Sequence, residues 1–85
     1  MPILSKFNGI IIRMYWRDHN PPHIHVEYKD YEAAITLDGE INAGRLPQRE
    51  LRLVREWIEL HHTEIQENWT LAQNNRELNE IAPLK

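Results

Sequence analysis

Three short turn signals constrain this chain more than any other feature. Asn8-Gly9, Lys29-Asp30 and Asp38-Gly39 punctuate residues 3–43, and between them apolar and polar residues alternate with period two. Asn-Gly tolerates positive φ at both positions and closes a two-residue hairpin, here pairing Ile3–Phe7 with Ile10–Arg17. Lys29-Asp30 is expected to close a second, between His23–Tyr28 and Tyr31–Leu37. Asp38-Gly39 leads into Glu40–Ala43 through a three-residue loop with a bulge, which puts Ile41 on the side of Leu37. With residues 18–22 as the connection between the second and third strands, Arg17 faces His23, Tyr15 faces His25 and Arg13 faces Glu27. The opposite face then carries Ile3, Phe7, Ile12, Met14, Trp16, Ile24, Val26, Tyr28, Tyr31, Ala33 and Ile35. Three independent turns agree on this one apolar face, and a one-residue slip would scramble it.

From residue 48 the period changes to that of a helix. Pro47 suits a first helical turn. Leu51, Val54, Ile58, His61, Ile65, Trp69 and Ala72 recur at three- and four-residue intervals, with Leu53, Trp57 and Leu60 widening the stripe. One straight helix over residues 48–74 would be about 40 Å long, against about 23 Å for a seven-residue strand. Thr63 with Gln66 matches a capping box, so a break is expected near His62. Arg49, Glu50, Arg52, Arg55, Glu56 and Glu59 read as a wet helix face. His61, on the apolar stripe, is expected to be half-buried with one hydrogen-bond partner. Trp57 and Trp69 read as core anchors, and Leu78 and Ile81 as residues draped on the surface. The expectation is a single α+β domain over residues 1–85: an antiparallel sheet of four or five strands (residues 3–43), covered on one face by one kinked or two consecutive helices (residues 48–74).

Composition narrows the function classes. The 85 residues contain no cysteine, which excludes disulfides and thiolate metal sites. The net charge of -3 is spread evenly along the chain, so no bulk basic field exists to hold a nucleic acid. The longest apolar run of the first strands is Ile10–Ile12, and nothing resembles a signal peptide or a membrane span; a cytoplasmic location is expected.

The second sheet face carries the chemistry. By register it displays Arg13, Tyr15, Arg17, His23, His25, Glu27, Glu32, Ala34 and Thr36. Opposed residues of an antiparallel pair lie about 5 Å apart at Cβ, so the two arginines, two histidines and the tyrosine are within mutual reach. The primary expectation is an anion site: Arg13 and Arg17 bind phosphate, His23 and His25 exchange protons, and Tyr15 stacks on a base or donates a proton. That set fits metal-independent RNA cleavage. His19, Asn20 and Glu27 support it, and the stiff Asn20-Pro21-Pro22 loop holds His19 and His23 in place. In the plainer alternative Arg13 and Arg17 only pair with Glu27 and Asp18. A further alternative is a metal centre of His19, His23 and His25 for zinc or another first-row divalent ion, with Asp18 or Glu27 also in reach; two flanking arginines oppose a cation there, so no cofactor is the first expectation. The runner-up function, ahead of the metal centre, is a non-enzymatic module docking a protein partner through this face, the tryptophan-bearing helix or a sheet edge.

Met1-Pro2-Ile3, the segment from Phe7 through Gly9-Ile10 to Arg13-Met14-Tyr15, Asp18-His19-Asn20-Pro21-Pro22-His23-Ile24-His25-Val26, Tyr31-Glu32-Ala33, Gly44 with Leu46-Pro47, and Glu67-Asn68-Trp69 together resemble domain of unknown function family 4160, small bacterial proteins. The resemblance runs from Met1 to about Leu84. Members often have glycine where this chain has Lys29-Asp30, and some have a longer loop around Asp38-Gly39. The resemblance implies the toxin of a toxin–antitoxin pair, with a small antitoxin-like protein encoded nearby as partner and RNA or the ribosome as target. It supplies no catalytic residues; the roles given to His23, His25, Tyr15, Arg13 and Arg17 come from strand register. A homo-oligomer through a sheet edge is a further expectation, and no membrane partner is expected.

Overall fold

The computed structural model describes residues 2–85. Five strands follow one another as an antiparallel meander in the order β1-β2-β3-β4-β5: β1 Ile3–Phe7, β2 Ile10–Arg13, β3 His23–Tyr28, β4 Tyr31–Thr36 and β5 Ile41–Gly44. Two helices follow, α1 Gln48–Leu60 and α2 His62–Gln73. Asn8 and Gly9 both have positive φ and join Phe7 directly to its partner Ile10. The Lys29-Asp30 turn likewise joins Tyr28 to Tyr31.

The β2–β3 register differs from the expected one by two residues. Arg13 lies opposite His25, Ile12 opposite Val26 and Ile10 opposite Tyr28. A shift of two keeps every side chain on its expected face and changes only its neighbours. The shift arises because β2 ends at Arg13. Beyond it the chain is held by the end of α2 rather than by β3: the Arg17 N–H donates to Ala72 O (3.1 Å), and Gln73 Nε2 donates to Asp18 O (2.9 Å). Residues 14–22 therefore form the connection, with Arg17 at φ 57°.

The core comprises the inner sheet face (Phe7, Ile10, Ile12, Ile24, Val26, Ala33, Ile35) closed by Val54, Trp57, Ile58, Ile65, Trp69 and Ala72. Several residues leave their expected places. A bulge between Ile3 and Ser5 puts Leu4 into the core in place of Ile3. Trp16 lies past the strand end, is exposed, and donates its indole N–H to Arg76 O (2.8 Å). Leu60 is exposed, whereas Glu50 is buried in the first turn of α1. Ile41 stands opposite Ile35 but remains exposed on the edge strand.

The helix break falls at His61, one residue before the expected place, and no side chain caps α2, so Thr63 does not serve as its cap. His61 is half-buried against Trp57, and its Nδ1 lies 2.7 Å from Glu64 Oε1. Pro47 precedes α1 as its N-cap, and its carbonyl accepts from the Leu51 N–H. Halving the helical run fits it to a molecule only 33 Å along its longest axis.

The tail is structural rather than draped. Ile81 is buried, and its N–H donates to Leu4 O on the outer edge of β1 (2.8 Å). Asn68 and Asn79 bond reciprocally, and the Trp57 indole donates to Ala82 O. Ile81→Ala is therefore expected to cost about 2–5 kcal/mol of unfolding free energy, the range for a buried aliphatic truncation. Urea denaturation decides this, because a residue merely resting on the surface would change it by less than about 0.5 kcal/mol.

Candidate functional site

The site is built where β3 begins. Alternation puts His23 and His25 on one side of that strand, with Ile24 and Val26 in the core on the other. The 14–22 connection then folds back over them. It brings Asp18 Oδ2 to 2.9 Å from His23 Nε2 and to 2.9 Å from His25 Nε2. The other carboxylate oxygen accepts from the His19 N–H (2.9 Å) and lies 3.1 Å from His19 Nδ1.

His23 is enclosed, with 2% of its surface exposed. Its ring packs 4.9 Å from that of His25, 5.4 Å from Trp69 of α2 and 5.6 Å from His19. Its Nδ1 lies 2.8 Å from Pro21 O. A carbonyl only accepts, so Nδ1 carries the proton and Nε2 is the nitrogen directed at Asp18. The expectation of an uncovered His23 beside Arg17 thus gives way to a buried ring with both nitrogens engaged.

His25 is partly exposed. Tyr15 stacks on its ring at 4.1 Å and 16°. That contact was expected from strand pairing, but Tyr15 makes it from beyond the end of β2. Arg13 is the cross-strand neighbour of His25, and its Nε donates to Glu27 Oε2 at 2.9 Å. Arg17 sits exposed on the turn, and Asn20, joined to Pro21 by a cis peptide bond, is exposed as well. The five residues expected to form one cluster therefore separate. His23, His25 and Tyr15 come together, Arg13 is beside them but engaged with Glu27, and Arg17 lies apart.

Asp18 is the residue that sequence reasoning undervalued. It figured there only as one optional third ligand and as a neighbour of Arg17. Its nearness in sequence to two histidines was visible, but its placement between them depends on how the loop folds back. The role of the Pro21 carbonyl has no side-chain signal at all. Chemically, one carboxylate oxygen and two imidazole nitrogens converge, and these ligand atoms all lie within 4.8 Å of one another.

The fold and the cluster together define a small antiparallel α+β domain with a histidine–aspartate centre at one end of its sheet. A family model described as Domain of unknown function (DUF4160) matches residues 9–70, and the chain belongs to that family. Comparison with curated proteins and with solved structures gives no match. Among the described residues no helix is long and apolar enough to cross a membrane.

Burial alone would raise the Asp18 pKa, but the hydrogen bond from His25, the bond from the His19 backbone and the charges of His23 and His25 outweigh it, so the carboxyl titrates below its ordinary 3.8. A carboxyl more acidic when folded contributes stability that is complete above its unfolded pKa and is lost as pH falls through the folded one. Asp18→Asn should therefore lower the urea midpoint most above about pH 5. The gap from wild type should narrow on acidification below the ordinary carboxylate range, as measured by paired denaturation curves across pH.

Proposed function

We propose that this protein binds one first-row divalent metal ion, of the zinc class, through Asp18, His23 and His25. The observation that carries this is the fixed tautomer of His23. Its proton is on Nδ1, directed at Pro21 O, so the Nε2 lone pair points at a carboxylate oxygen that also meets His25 Nε2. Two nitrogen–oxygen contacts around one anionic oxygen require two intervening protons, one of them on a buried imidazolium, or one divalent ion. A divalent ion takes the place of both protons at once and leaves His23 a neutral imidazole. The His23 Nδ1–H bonded to a carbonyl is the outer support that metal-bound histidines ordinarily have.

The geometry around the cluster supports the same reading. The two arginines that opposed a cation no longer do so: Arg13 is paired with Glu27, and Arg17 is exposed on its turn. Zinc with bonds of about 2.0–2.1 Å spaces tetrahedral ligands about 3.3 Å apart, so the 2.9 Å contacts need open only by a few tenths of an ångström. Asp18 replaces His19 in the ligand set suggested by the sequence, because the His19 ring is 82% exposed and touches the other carboxylate oxygen.

Untagged protein, stripped by chelator and titrated with Zn2+ or Co2+ in a calorimeter, is expected to take up one ion per chain. Asp18→Asn and His25→Ala should each weaken uptake by about 100-fold or more, beyond the loss typical of an outer-support residue, and His19→Ala should leave the stoichiometry at one. Circular dichroism reports whether each variant folds. Absence of saturable uptake, or uptake indifferent to Asp18→Asn, overturns the reading.

One observation favours a second reading, the metal-independent ribonuclease of a toxin–antitoxin pair. His25 keeps a ring nitrogen, Nδ1, with no partner among the described residues, and Tyr15 lies stacked on that ring at the open face. In this reading His25 carries the proton, Asp18 orients it and Tyr15 meets a base. Expression of the chain alone is expected to arrest growth, and His25→Ala to relieve the arrest. Undiminished arrest by a folded His25→Ala variant removes this reading.

A further inference from the structure

Beside the cluster, on the open sheet face, lies a hollow of about 260 Å3 to which neither Asp18 nor His23 contributes. Its floor is made of small residues, Ala34, Ala43 and Gly44. Gly44 is held small by the backbone: its φ is 75°, and a Cβ there would meet Glu32 O, the atom that accepts from the Arg45 N–H. Tyr15 and His25 form one end of the hollow. Glu27 and Glu32, opposite each other in the β3–β4 ladder, form the other. Two residues of strand, about 7 Å, separate the ends.

The charges of these walls do not cancel. Directly opposed like charges destabilise a ladder. Arg13 offsets Glu27 at 2.9 Å, but among the described residues the exposed side-chain carboxylate of Glu32 has no hydrogen-bond or ion-pair partner. Arg45, which follows the floor residue Gly44, carries its guanidinium over the Tyr31 ring instead, 5.5 Å from the centroid. The hollow thus combines open volume, an aromatic wall and one uncompensated carboxylate.

We infer that this hollow binds a cationic nitrogen group, a primary ammonium or a guanidinium, with Glu32 as its counter-ion and the Tyr15 ring as its aromatic wall. Ammonium and guanidinium groups suit both partners, through a charge-assisted hydrogen bond to the carboxylate and attraction to the ring. The unpartnered nitrogen of His25 leaves a hydrogen-bonding group at the far end, so a ligand longer than a bare amine gains a second contact. The inference goes beyond the metal reading and does not depend on it.

The test uses the full chain, once chelator-stripped and once zinc-treated, at fixed ionic strength so that screening is constant. Methylguanidinium, n-butylammonium, an arginine-centred tripeptide, acetate and inorganic phosphate are titrated in turn. Amide shifts at residues 25–27, 32–34 and 43–44 are followed by NMR. The cationic probes are expected to move these signals saturably, and Glu32→Gln to weaken them about tenfold, the scale of one charged hydrogen bond. Ala34→Leu, which fills the floor, should abolish binding without changing zinc stoichiometry. A tripeptide that binds more tightly than methylguanidinium identifies a polypeptide side chain as the source, and equal binding identifies a free small cation; both support the inference. Preference for phosphate or acetate, or cation binding indifferent to Glu32→Gln, overturns it. Zinc uptake without cation binding leaves the metal reading standing and removes this one, and cation binding without zinc uptake does the reverse.

Discussion

Asp18 Oδ2 lies 2.9 Å from the Nε2 atoms of both His23 and His25, and this shared oxygen governs how the connection between β2 and β3 is held. A buried imidazole with an unmet nitrogen carries a desolvation penalty of a few kcal/mol. His23 meets both of its nitrogens from the same short stretch, Nδ1 through Pro21 O and Nε2 through Asp18. The loop therefore has to close for His23 to be buried, and His23 is what the closed loop packs upon. The end of α2 secures the arrangement from outside through Ala72 O and Gln73, and Trp69 closes over the ring. The core on one side of β3 and the polar centre on the other thus depend on the same strand and the same helix.

The chemistry of the open face follows from a ladder shifted by two. Because the side-chain period of a strand is two, the shift preserves which residues face outward and changes only which of them meet. His25 gains Arg13 as its neighbour, Arg13 reaches diagonally to Glu27, and Arg17 moves out onto a turn. A face that the expected register makes rich in free guanidinium becomes a compact histidine–aspartate centre beside an acid-walled hollow. Metal coordination fits the first, and a cationic group fits the second.

The two edges of the sheet are managed differently. The tail covers part of the β1 edge by donating Ile81 N–H to Leu4 O, and reciprocal Asn68–Asn79 bonds tie that tail to α2. All four residues of β5 are exposed, and that strand contributes Ala43 and Gly44 to the floor of the hollow. The tail shows no periodicity in sequence because its hold is a few separate anchors rather than a repeating ladder, which is why Ile81 reads as a surface residue until its partners are known.

Legible in the residues alone were the hairpin turns, the inward and outward parity of the strands from Phe7 to Ile35, and a helical cover, one kinked helix or two, with a break near His62; the structure has two helices that part at His61. These follow from local rules: positive-φ turn residues, a side-chain period of two, and a helical stripe too long for the sheet beneath it. Parity survives an even slip, so His23 and His25 stay on the expected side of β3, whereas Tyr15 reaches His25 from beyond the end of β2. Long-range packing sets where β2 stops, places Asp18 between the histidines, encloses His23 and keeps Arg17 away from it. Those outcomes depend on contacts between residues far apart in the chain, such as Arg17 with Ala72 and Trp16 with Arg76, which no local pattern encodes.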